Sequence, residues 1–374
     1  MSISLSPRPA RGRRPAWLLA GALLPLSVLL ASCTTEPPST GNGGGNAAPV
    51  ASTGENGGGA TGTPATAEFE TPRKPEGPLK FVIVTNGISP FWDPMAVGMK
   101  DAAEELGVEA SWRGPDPANV ANQKKMLEEA LATNPDGIAL SCIEGDASKE
   151  MIDMVISKGV PLVTFDSDST GSRRLAYIGT NNVTAGEAAG RAAAELLPNG
   201  GEFLGFVGNI SAENARERQE GFEKTAKEAG ITLKEVIGDD KDPARARSNV
   251  ENALQKYPDV DGLLGLYSYN GPAIVQAVGN RKSQYKVVAF DAEPQTLQAL
   301  DKGLIDATIV QKPYDFGYLS VKLLTLINRK GFSEAKKEMN IPDSLLYDTG
   351  VETITPANVK EYRDKLAKMG IKSS

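Results

Sequence analysis

From Leu79 onward, short apolar runs alternate with amphipathic stretches, and that alternation restricts the chain to a layered α/β fold. Lys80–Val84, Val108–Trp112, Gly137–Leu140, Val160–Phe165 and Ala176–Ile178 read as strands. Met95–Leu106, Val120–Thr133 and Ala147–Lys158 read as the helices between them. The rhythm then restarts. Helices over Val183–Leu197, Glu213–Ala229, Pro243–Lys256, from about Pro272, and over Tyr314–Asn328 enclose strands at Phe203–Val207, Thr232–Ile237, Gly262–Leu266, Lys286–Phe290 and Ala307–Val310. The strands are apolar almost throughout, as in parallel sheets covered on both faces. Two rounds predict two doubly wound α/β lobes. In such sheets ligands bind beyond the carboxyl ends of the strands.

The remaining bulk properties narrow function by exclusion. The chain of 374 residues carries a net charge of −7 with mixed signs, and no basic stripe for nucleic acid follows the first few residues. It contains no histidine, which removes Ser-His and Cys-His nucleophile activation and the commonest metal ligand. Its two cysteines, Cys33 and Cys142, cannot make a disulfide framework. Neither a Gly-x-Gly-x-x-Gly nor a P-loop follows the first strand, so no nucleotide cofactor, and no metal, is called for.

The amino terminus has a basic region, Arg8 to Arg14, then an apolar run from Trp17 to Ala31 that is short for a membrane span. It ends Leu30-Ala31-Ser32-Cys33, which resembles the lipobox of bacterial lipoproteins. The resemblance implies a signal peptide over residues 1–33, lipidation of Cys33, and a membrane-anchored location in the periplasm or on the cell surface. Residues 34–78 are rich in Gly, Ser, Thr and Pro and poor in apolar side chains, so they read as a disordered tether.

The strand ends carry the informative residues. The first ends Asn86-Gly87-Ile88-Ser89-Pro90-Phe91-Trp92-Asp93 and the fourth Thr164-Phe165-Asp166-Ser167-Asp168. Later come Asn214-Ala215-Arg216-Glu217-Arg218-Gln219-Glu220-Gly221-Phe222, Tyr267-Ser268-Tyr269-Asn270, Phe290-Asp291 and Val310-Gln311. In this order the series resembles the type I periplasmic sugar-binding proteins of the ribose- and galactose-binding group. That resemblance implies two lobes joined by three hinge strands, a sugar or polyol held between them, and delivery to the permease of an ATP-driven (ABC) transporter, or to a chemoreceptor, by a monomeric, non-enzymatic protein. It divides the chain into residues 79–180 plus 312–342 in one lobe and 181–311 plus 343–360 in the other, with 361–374 as a tail.

It also assigns roles. Phe91 and Trp92 fall where aromatic rings pack on a sugar face, an array of C–H groups suited to a flat ring. Both could instead fill the first core. Asp166 and Asp291 fall where carboxylates accept from hydroxyls, a role that competes with helix capping. Arg218 matches a donor whose fork reaches two hydroxyls, whereas Arg216 should face solvent. Gln311 matches a hinge glutamine, and Ser89 a polar position often filled by asparagine. Ser167 stands where the ribose pattern has arginine. Asn270 stands one step from the usual Asn-Asp, and Tyr269 offers the aromatic surface missing near Asp240-Lys241. Trp112 and Arg113 either reach the cleft rim or pack locally. Asp93, Glu144 and Asp168 add acid that would suit an amine-bearing ligand, and Cys142 reads as a buried thiol. Three other functions compete. A repressor of the same fold would need a DNA-binding segment ahead of Leu79. A sensing lipoprotein would present a sugar or signalling furanose to a receptor or sensor kinase. A glycosidase would use Asp166 and Asp291 as its acid pair.

Overall fold

The computed structural model describes residues 65–73 and 76–371. The signal-peptide, lipobox and Cys33 expectations fall outside them, as does most of the tether.

Two six-stranded sheets organise the chain. The first contains β1 (Lys80–Val84), β2 (Glu109–Arg113), β3 (Gly137–Leu140), β4 (Leu162–Phe165) and β5 (Tyr177–Gly179). The second contains β6 (Gly201–Val207), β7 (Ile231–Gly238), β8 (Gly262–Gly265), β9 (Lys286–Phe290) and β10 (Ala307–Val310). Each gains a late edge strand: β11 (Leu346–Asp348) joins the first and β12 (Glu352–Ile354) the second. The orders are β11-β5-β4-β3-β1-β2 and β12-β10-β9-β8-β6-β7, so the second sheet repeats the first in chain order. All pairings are parallel except β10 with β12.

Strands β3, β4, β8 and β10 are buried along their whole length, which explains why their sequences are apolar on both faces. One core packs the first sheet and two pack opposite faces of the second. Each lobe also contains a helix pair in close approach through glycine. In the first, Gly98 and Gly317 bring Asp93–Leu106 against Pro313–Lys330, and a Cβ on either glycine would collide with the partner's backbone. In the second, Gly186 and Gly221 do the same for Asn182–Leu196 and Glu213–Glu228.

The chain passes between lobes after β5, after β10 and between β11 and β12. The expected division needs three corrections. The tether does not extend to residue 78: Phe69 is only 3% exposed in the first core, and Arg73 N–H donates to Asn328 O at 2.7 Å. The first lobe does not end at 342, because Leu346–Asp348 pairs with β5. Residues 361–374 are not simply a tail, because a helix over Val359–Lys368 puts Val359, Tyr362 and Leu366 into the second lobe's core.

Candidate sugar-binding cleft

Several strand ends open onto one cavity of about 680 Å³ between the lobes. The first lobe contributes Asn86 to Trp92 after β1, and Asp166 after β4. The second contributes Asn214 and Arg218 from the helix Glu213–Glu228, Lys241 after β7, Tyr267 to Tyr269 after β8, Asp291 after β9 and Gln311 after β10.

Asp166 and Asp291 occupy equivalent positions in the two lobes. Both have left-handed backbones, with φ of 59° and 66°, a conformation aspartate tolerates better than most residues and one often found at functional sites. Ser141 Oγ donates to Asp166 Oδ2 at 2.8 Å, and Asn86 Nδ2 at 3.3 Å. Burial pushes the Asp166 carboxyl up to about 6, and the Asp291 charge adds to the rise, while Ser141, Arg218 and Lys241 oppose it. Burial also raises Asp291, against the pull of Arg218 and a hydrogen bond from Gln311 Nε2 at 3.1 Å. The acids therefore face each other across the cleft with cations beside them.

Arg218 is 1% exposed. Its Nε donates to Asn182 Oδ1 at 3.0 Å, its Nη1 to Leu266 O at 2.7 Å, and its guanidinium lies 4.6 Å from the centre of the Phe290 ring. These contacts fix the fork in orientation. Nη2 is buried without a protein partner, and so is Gln311 Oε1. A buried polar atom left unpaired costs about 1–3 kcal/mol, so both are poised to bond a polar guest.

Ser89, Phe91, Trp92, Asp166, Arg218, Tyr269, Asp291 and Gln311 all line this cavity. Phe91 is half-buried, with its ring edge-on to Trp92 at 4.8 Å between centres. Trp92 is 2% exposed and packs edge-on against Phe165, so its ring belongs largely to the first core. Two expected residues lie elsewhere. Ser167 is buried in the turn beneath Asp166, where its carbonyl accepts from Cys142 N–H at 2.9 Å. Asn270 accepts from Tyr267 N–H at 3.0 Å and donates to Asp239 at 2.9 Å, which commits it to the second lobe's own frame. Trp112 also points inward, donating from Nε1 to Thr85 Oγ1 at 3.0 Å. Asp168 is not available to an amine ligand, because Arg174 grips it through Nε and Nη2, each at 2.5 Å. Arg216 is exposed and Cys142 buried, as expected, and burial pushes the Cys142 thiol far above its usual range.

Sequence reasoning missed Lys241. Buried Asp239 accepts from Lys241 N–H at 2.9 Å, Tyr269 Oη at 2.5 Å and Asn270 Nδ2, and so builds the turn that presents this residue. Lys241 has φ of 62° and reaches across the cleft to Asn86 O at 3.4 Å. Burial lowers its pKa, and Asp166 and Glu144 oppose that. Successive aspartates followed by lysine were the only signal, and they look like an ordinary solvated turn. The lobes also meet where Thr170 N–H donates to Glu213 at 3.4 Å and where Val97 and Tyr314 pack on the second lobe's core.

A sequence profile of the periplasmic binding protein domain matches residues 79–330. The xylose/arabinose-binding protein XylF of Sulfolobus acidocaldarius is 25% identical over 315 residues, covering 77% of this chain and 74% of XylF. A solute-binding protein of an ABC transporter from Burkholderia graminis, solved with D-arabinose, is 31% identical with a TM-score of 0.70, covering 77% of this chain and 99% of its own. GanP, a glucose-galactose binding protein from Geobacillus stearothermophilus, is 29% identical with a TM-score of 0.70, covering 76% and 99%.

Proposed function

Because the chain belongs to the periplasmic binding protein domain family, we propose that it captures a monosaccharide-sized sugar between its lobes and delivers it to the permease of an ABC transporter. The observation that carries this reading is the convergence of buried polar groups from both lobes on one cavity, two of them with unpaired atoms. Asp166 and Asp291 accept from hydroxyls, Arg218 donates, Gln311 accepts, and Ser89 and Tyr269 add polar contacts. Phe91 packs on a C–H face of the ring. The sugar contacts both lobes at once, so it favours their closed arrangement, and the permease reads that arrangement. The sugar complexes and names of the relatives support the ligand class. Transport requires no bond to be broken, so the protein acts as a binder and not as an enzyme. It works as a monomer, held at the periplasmic or outer cell face by lipid on Cys33 after removal of the signal peptide.

The test is a thermal-shift screen of pentoses, hexoses and polyols. The protein used should start upstream of Ala65, so that Phe69 keeps its place in the first core. A sugar at a hundred times its Kd adds ~2.7 kcal/mol, a shift of a few degrees. Stabilisation by one sugar and not by its epimer is expected. A panel without any stabilising sugar would overturn the reading.

A further inference from the structure

We infer that the cleft has a second chamber and that the physiological ligand is a glycoside, with its sugar ring in the first chamber and an apolar or aromatic anomeric substituent in the second. This rests on the sugar reading of the cleft and extends it.

The second cavity measures about 480 Å³. It shares Pro90, Phe91, Asp291, Glu293 and Gln311 with the first, so three of the residues expected to hold the sugar, Phe91, Asp291 and Gln311, stand in the partition between the two. Beyond that partition the chemistry changes. The helix Val359–Lys368 and the residues just after it supply Tyr362, Leu366, Met369 and Ile371, while Pro294 and Pro313 stiffen the facing turns. Tyr362 and Leu366 are also anchored in the second lobe's core, so this wall is fixed before any ligand arrives.

The charged groups at the margin do not ask for an anion. Lys365 is paired with Glu352 at 3.0 Å, and the other cation of the lining, Lys312, is set against Asp315. Asp93, Asp315 and Glu293 line the same chamber, and their negative charge disfavours a phosphate or carboxylate there. An uncharged apolar group with few polar atoms suits such a surface. Gln311 stands at the junction with Nε2 committed to Asp291 and Oε1 unpaired and buried, placed to accept from a hydroxyl beside the anomeric centre. Half-buried Phe91 belongs to both linings, so one ring can contact the sugar and its substituent together. A free monosaccharide would leave the apolar chamber filled with water. A substituent that displaces that water gains the hydrophobic contribution.

The experiment is calorimetric titration of the protein with D-glucose, D-galactose, D-xylose and D-arabinose and with both anomers of their methyl and phenyl glycosides. One phenyl glycoside is expected to bind about tenfold or more tightly than its parent sugar, with the methyl glycoside between them. Met369→Trp, which fills the chamber from beyond the cleft, should abolish that gain and leave the parent sugar's affinity within about twofold. The unchanged parent affinity also shows that the variant folds. A parent sugar that binds while every phenyl glycoside binds more weakly, or a gain that survives Met369→Trp, overturns the second chamber and leaves the sugar cleft standing. Silence from free sugars and glycosides alike overturns both.

Discussion

Asp291 accepts from the side-chain amide and the backbone N–H of Gln311 and faces Arg218 from a left-handed backbone. Asp291→Ala should therefore weaken sugar binding by about 3 kcal/mol, more than a hundredfold in Kd, because it removes a charge-assisted acceptor, while Asp166 still opposes the Arg218 charge. Its melting temperature should stay close to that of the parent. Titration calorimetry beside a melting curve checks both, and retained affinity would remove Asp291 from the site. Asp166 predicts a pH dependence. Its carboxyl titrates at about 6 in the fold, above the 3.8 of a free aspartate. Between those values Asp166 holds more proton in the folded state than in the unfolded, so its own contribution to the stability of the unliganded protein should grow as pH falls from neutral toward 4. Binding needs the ionised form, so affinity should fall over the upper part of that window, and Asp166→Asn should flatten both trends. An affinity constant from pH 7 to pH 5 would contradict this. At this scale much of the cleft was legible, since the strand ends together with the family resemblance named ten side chains, eight of which line the cavity. Sequence reasoning failed for Ser167 and Asn270 because a residue next to a site and a residue in it share the same local sequence. Only the direction of the turn separates them.

The helix pair of the second lobe links packing to the site. Gly186 lies against the carbonyl of Arg218, and Gly221 against that of Val183, so these helices touch backbone to backbone within a turn of the cleft arginine. Gly186→Ala must push Glu213–Glu228 outward and carry Arg218 with it. We expect a destabilisation of about 1–3 kcal/mol from the overpacking together with weaker sugar binding. A double-mutant cycle with Arg218→Lys checks the link: additive losses in binding would show that the glycine's effect does not pass through Arg218. Elements with long apolar or amphipathic runs were legible, and their limits shifted by only a residue or two. Strands β11 and β12 escaped because they have three residues each and no apolar run. The helix Val359–Lys368 escaped because it buries only three side chains among charged neighbours. Phe69 is a lone aromatic in a polar stretch, and nothing local marks it as part of a core.

The two lobes share an order of strands and are joined by the three crossings, about which they can rotate as bodies. Lys241 to Asn86 and Glu213 to Thr170 are contacts between lobes, and a sugar adds more of the same sense. Scattering should show a smaller radius of gyration on saturation with a binding sugar. Lys241→Met should shift the unliganded protein toward a more open mean. Profiles that superimpose with and without a proven ligand would refute closure. The interlacing of the lobes has one more consequence. The first sheet includes a strand that ends at Asp348, and the second core includes Leu366. Neither lobe is complete from the chain ahead of Leu346, because the first takes an edge strand and the second a strand and a core helix from beyond it, so the two lobes become whole together rather than in turn.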